Sequence, residues 1–113
     1  MTVTTEADLK RNDGKECVVA GLYQETDIRL RPKGAPQLIG YVAIILSDGT
    51  SIMLEPSWSE AAIRPEAERK AFAGRRVLVT GTVHMSAPKP AASVNYLVGP
   101  CISPVESVRL KEP

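Results

Sequence analysis

The alternation of apolar and polar residues along the chain predicts strands more than helices. Cys17-Val-Val-Ala-Gly-Leu-Tyr23 is a short apolar run rich in β-branched residues, the composition of a strand. Gly21 inside it marks a bend or bulge. Asp27-Ile28-Arg29-Leu30-Arg31 alternates without error, the period of a half-buried strand that prolongs the first, until Pro32-Lys33-Gly34-Ala35-Pro36 ends the pairing. Leu38 to Glu55 holds two apolar runs around Asp48-Gly49, the pattern of a tight hairpin. A two-residue turn there sets Ile45 opposite Ile52 and Ala43 opposite Leu54 on one face, predicted to be core. It sets Leu46 opposite Ser51, Ile44 opposite Met53 and Val42 opposite Glu55 on the other. On that register Val42, Ile44 and Met53 form an outward apolar strip that something must cover.

Beyond the hairpin, Ser57 with Glu60 three positions later fits a helix-capping box. Pro65 followed by Glu66, Glu68, Arg69 and Lys70 fits a second helix start with charges arranged along the dipole. Ile63, Ala67, Ala71 and Phe72 supply its predicted apolar face, and Gly74 its C-terminal cap. Arg75 to His84 reads as a strand with Val77, Val79, Gly81 and Val83 on one side. Met85 to Ser93 is a Pro- and Ala-rich loop that does not fit a sheet interior. Strand signal returns over Val94 to Val98, Gly99-Pro100 interrupts it, and Val105 to Leu110 gives a last short strand. Residues 1–13 read as a polar leader with at most a short helix, closing on the turn Asn12-Asp13-Gly14. That leaves 14–111 as one domain.

Composition narrows the function more than the fold. A chain of 113 residues supports a single core, and 9 Pro with 8 Gly break it too often for a helical bundle. The net charge of +1 provides no field to steer polyanions, which argues against a tight, sequence-blind nucleic-acid coat. No run of 18 apolar residues predicts a membrane span. The opening residues lack the basic-then-apolar order of a secretory signal, so a cytoplasmic location is expected. Cys17 and Cys101 have no CxxC spacing, and with the lone His84 they make three ligands where zinc needs four. Free, partly buried thiols and no metal are expected. No nucleophile elbow accompanies His84 and no Gly-rich phosphate loop opens a helix, so neither catalysis nor a cofactor is expected.

The order of elements is a bent strand with a central glycine, an Asp-Gly hairpin, a short helix, the strand Gly74-Arg-Arg-Val-x-Val-x-Gly-x-Val83, a loop and a closing strand. It resembles the oligonucleotide/oligosaccharide-binding (OB) fold, in the character of small bacterial-type OB domains, over roughly residues 14–111. The resemblance implies a mainly β, five-stranded Greek-key barrel with one short helix between the third and fourth strands. It further implies a ligand lying across the second and third strands, gripped by the loops Gln24 to Gln37 and Met85 to Ser93. Cations at Arg29, Arg31, Lys33 and Lys89, with Tyr41 and Tyr96 for stacking, would make a weak single-stranded nucleic-acid site. The alternative reading of both loops is solvated, proline-stiffened tips.

Aromatic content tips the balance, because Phe72 and Trp58 are expected to anchor the helix and Tyr23 to sit at a barrel mouth. Two tyrosines remain, too few for a dedicated single-strand binder. The leading expectation is therefore a non-enzymatic module of protein assembly, an adaptor or inhibitory partner. It would work through Val42, Ile44 and Met53 against a protein partner or a second copy, unless residues 1–13 fold back over that strip.

Overall fold

The computed structural model describes residues 2–25, 41–55, 63–85 and 100–111. Among these residues six strands and two short helices run in the order β1 (Thr2–Val3), α1 (Glu6–Arg11), β2 (Glu16–Glu25), β3 (Val42–Ile45), β4 (Ser51–Leu54), α2 (Glu66–Phe72), β5 (Arg76–His84) and β6 (Cys101–Leu110). The sheet order β1-β2-β3-β4-β6-β5, with β5 also paired to β2, closes five strands into a barrel. Only β4 with β6, and the added β1 with β2, are parallel. The expected mainly β, closed five-stranded barrel is present and compatible with an OB-like fold, with α2 between its third and fourth strands and with β1 and α1 added to it.

Closure depends on β2, which serves two neighbours along its length. Glu16 to Leu22 pair with β5, and Leu22 to Glu25 pair with β3. The changeover falls at Gly21, where a Cβ would stand 2.5 Å from Ile44 Cγ2 and 2.6 Å from the Ile45 carbonyl oxygen. Only glycine lets the two backbones approach so closely. On β5 the predicted alternation holds, with Val77, Val79, Gly81 and Val83 buried and the residues between them half-buried.

The hairpin departs from the predicted register by one residue. Asp48-Gly49 does form the turn, but the loop has three residues: Leu46 N–H donates to Thr50 O (2.8 Å), Gly49 N–H donates to Leu46 O (2.9 Å), and Gly49 takes a φ of 88°. A glycine in the left-handed region at the third loop position is the next most common hairpin solution after the two-residue turn. Ala43 consequently faces Met53, Ile44 faces Ile52 and Ile45 faces Ser51. The faces of β4 stand as expected, whereas those of β3 are inverted. Val42, Ile44 and Leu46 enter the core, while Ala43, itself buried, and the half-buried Ile45 lie on the opposite face. Nothing lies within 4 Å of a Cβ built on Gly49, so Gly49→Ala should cost only the backbone term, about 1 kcal/mol, read from urea unfolding curves.

Residues 2–12 are more than a polar leader. β1 pairs Thr2 with Val18 and Val3 with Val19, and both Val3 and Leu9 are fully buried in the core. The helix α1 starts at Thr5, whose hydroxyl accepts from Asp8 N–H, the N-cap contact that satisfies one orphan donor. It is tied to one barrel end. Ser47 N–H donates to Thr4 O, Glu6 N–H donates to Asp48 Oδ2 (2.9 Å), and Gly14 N–H donates to Val83 O. The helix α2 is tied to the other end, where Gly74 N–H donates to Tyr23 O and Tyr23 N–H to Arg75 O. Each mouth of the barrel therefore carries a helix.

Candidate functional site

The most connected group of polar side chains lies under α2. Arg64, Glu68 and Phe72 recur every four residues, so they share one helical face, and this face turns to the barrel. Ala67 and Ala71 are exposed and Ile63 is 54% exposed, so of the predicted apolar face only Phe72 turns inward. Glu68 accepts from Arg64 Nε and Nη2, each at 2.8 Å, and from the Tyr23 hydroxyl at 2.7 Å. Arg69 donates to Arg64 O and to Glu25 Oε1, both at 3.0 Å. The Tyr23 and Phe72 rings are tilted against each other with centroids 5.8 Å apart.

The electrostatics of this cluster point to anchoring. Burial, then the bond to Glu68, pushes the Tyr23 hydroxyl far above its ordinary range. Burial works to raise Glu68, but the Arg64 guanidinium and the Tyr23 hydroxyl overcome it and hold the carboxyl below its ordinary value. The Glu68 contact raises Arg64 in turn. A protonated phenol, an ionised carboxylate and a guanidinium that already satisfy one another offer no proton to transfer near neutral pH. The group fixes a short helix over the barrel mouth.

A second polar knot sits where β4 meets β6. Glu55 follows β4 with a φ of 71°, a left-handed conformation that costs a non-glycine residue about 1 kcal/mol or more. Its buried carboxylate accepts from Ser103 Oγ (2.7 Å) and Val105 N–H (2.8 Å), charge-assisted bonds that offset that cost. These bonds fall where β6 shifts register against β5 between Thr80 and Val83. His84 donates Nε2–H to Ser103 O at 2.8 Å, since a carbonyl oxygen only accepts. Cys101, beside it, is pushed up to about 11 by burial and then by Glu55. Burial likewise raises Cys17. Both are free, buried thiols, as expected, and a protonated thiol is a poor nucleophile. Among the described residues no three His, Cys, Asp or Glu side chains cluster as metal ligands.

The residues proposed from sequence for partner binding separate here. Val42 and Ile44 are fully buried, packed with Leu54 and Ile52 inside the barrel, so they are core and not an outward strip. The one-residue lengthening of the hairpin loop is the physical reason. Met53 does face outward, half-buried, opposite Ala43. The outer row that replaces the predicted strip runs Arg76, Leu22, Ile45 across β5, β2 and β3, with Met53 in the adjoining row. Of the proposed nucleic-acid residues, Tyr41 is half-buried and bridges to Ile63. Arg29, Arg31, Lys33, Lys89 and Tyr96 lie outside the described residues, as do Trp58, the Ser57–Glu60 capping box and the strands read over Asp27 to Arg31 and Val94 to Val98.

One group of charges escaped the reading of the sequence. Arg76 and Arg109 project from the outer faces of β5 and β6, Arg75 precedes β5, and Lys111 follows β6, its N–H donating to Arg76 O. All four are exposed, and none forms an ion pair among the described residues. Arg109 and Lys111 line an open depression of about 760 Å³ together with Phe72, Leu78, Val108 and Leu110. The signal was present as Arg75-Arg76 and Arg109-x-Lys111, but only the β5–β6 pairing brings the two pairs together. Among the described residues no helix is long and apolar enough to cross a membrane. No protein-family model, curated protein or solved structure matches the chain.

Proposed function

We propose that this barrel is a non-enzymatic protein-binding module, an adaptor or inhibitory subunit that presents its outer sheet surface to a partner. The observation that carries the reading is that a helix is tied to each end of the barrel, with Leu9 buried at one end and Phe72 packed on Tyr23 at the other. Helices placed over both mouths, among the described residues, favour recognition on the outside of the barrel over a small ligand within it. There Leu22, Ile45 and Met53 form half-buried apolar rows beside Arg76, the mixture of apolar and arginine side chains that interfaces favour. The OB-like strand order fits an OB-superfamily origin, and two free thiols fit a reducing compartment such as the cytoplasm.

Substitution on opposite parities of β3 tests the reading. Ile45→Asp should leave the melting temperature within a few degrees of the parent's and abolish co-purification of the partner from the native cell. Ile44→Asp, one residue earlier and fully buried, should instead unfold the domain. An Ile45→Asp protein that folds and still retains its partner would overturn the proposed surface. Recovery of nucleic acid in place of protein would overturn the class of partner.

A further inference from the structure

Among the described residues the last strand of the barrel is paired along its full length on one side only. After Ile102, β6 continues against β5 to Leu110, while its pairing with β4 ends at Met53–Cys101 and Leu54–Ile102. Among the described residues no strand takes up the second edge of Val105 to Leu110. The bond from Lys111 N–H to Arg76 O fixes which groups point where, because donors and acceptors alternate along an antiparallel strand. Residues Lys111, Arg109 and Ser107 turn their backbone toward β5. Val108 and Leu110 turn theirs toward the open edge.

Side chains along that edge favour one kind of occupant. Leu110 is 41% exposed and joins Phe72, Leu78 and Val108 in the depression described above, and Arg109 and Lys111 rim it. Arg76 and Arg75 add two more exposed cations from β5 and the turn before it. Like charges directly across a strand pair repel, so Arg76 opposite Lys111 is a cost that an anionic neighbour would relieve. Glu106, at the irregular start of this segment, is the one acidic residue among Val105 to Lys111. The sole aromatic ring in the depression, Phe72, is already engaged with Tyr23, which leaves no platform for stacking a base.

We infer that the open edge of β6 receives an extended acidic peptide, added as an extra strand, whose apolar side chains pack beside Val108 and Leu110 on one face and whose carboxylates meet Arg109 and Lys111, with Arg76 behind them, on the other. Main-chain bonds to Val108 and Leu110 supply the affinity common to strand addition, and alternate side chains supply the specificity. The site goes beyond the reading proposed above, since it shares with the outer row only Arg76 and names the chemistry of the partner segment.

The test uses the full chain and a fluorescein-labelled peptide alternating Val with Asp or Glu, followed by anisotropy. Binding should appear at low salt and weaken steadily as salt rises. R109E/K111E should weaken it about ten-fold or more, while K15E, a charge reversal beyond the far end of β2, leaves it unchanged. On the unaltered protein, N-methylation of the peptide at alternate residues should weaken binding to a similar extent, because it removes the donors that strand addition uses. Four results overturn the inference: no binding at low salt, equal binding of the N-methylated peptide, insensitivity to R109E/K111E, or tighter binding of a single-stranded oligonucleotide of equal charge. Loss of the peptide in Ile45→Asp with no loss in R109E/K111E would move the site to the outer row and leave the module reading standing.

Discussion

Val79→Asp should leave no cooperative unfolding transition. Val79 is fully buried at the middle of β5, paired with Val19 on one side and Val108 on the other. An aspartate there must either ionise in an apolar interior or take up a proton against its normal pKa. The effective cost after relaxation is still several kcal/mol, against a total stability of about 5 to 15 kcal/mol for a domain of ordinary size. Val79 also touches the two pairings that close the barrel, so the strands have no way to open locally around the charge. Thr80→Asp is the matched control, because Thr80 faces outward and is half-buried; it should retain its melt. Circular dichroism melts of both variants check the prediction, and a soluble, folded Val79→Asp protein would contradict the parity of β5.

Glu68→Ala should cost about 3 kcal/mol, the scale for breaking a largely buried pair by removing one partner. The side chains of Arg64 and Glu68 are only 14% and 15% exposed. Truncation removes a bidentate counter-charge from Arg64 and the acceptor from the Tyr23 hydroxyl, so the helix loses its grip on the barrel mouth. The pH dependence carries a distinct signature. Glu68 titrates below its ordinary value of 4.5 in the folded protein, so its contribution is full above that pH and is lost as the pH falls through the lower folded value. The parent's stability should therefore decline in acid more steeply than the variant's, with the two converging at low pH. Urea midpoints measured at several pH values from neutral down to about 3 separate this from a simple packing defect, which would keep the two curves parallel.

The alternation of β5 and the closing position of the hairpin were legible from residue type alone, because inward valines at every second position admit one orientation of a strand. The face of β3 was not. Val42, Ala43, Ile44 and Ile45 are all apolar, so periodicity carries no parity there, and the choice fell to the length of the turn. Asp-Gly is compatible with a two- or a three-residue loop. Asp48 settles the matter through a bond to Glu6 N–H, a contact across 42 positions that local pattern does not encode. The face of α2 was misread for the opposite reason. Beside Phe72 its inward residues are charged, and Arg64 with Glu68 at helical spacing has the same sequence signature as a solvated surface pair. Only the buried Tyr23 hydroxyl distinguishes the two. Val3 and Leu9 stood out as the only large apolar residues among 2–13, yet nothing local says that they pack.

The double duty of β2 also sets the order in which the chain can assemble. The hairpin joins residues a few positions apart and needs little loop closure, so it can form within microseconds. Joining Cys17 to Gly81 and Val19 to Val79 draws together residues about 60 positions apart, an entropic cost met before the barrel core gives any return. On a ribosome β2 is made early and must wait for β5 before its second edge is satisfied. Through that interval Val18, Val19 and Ala20 form an apolar strand with an open side, and the stretch from Cys17 to Tyr23 carries no charge. Aggregation during synthesis, more than instability of the finished barrel, is the hazard this topology imposes.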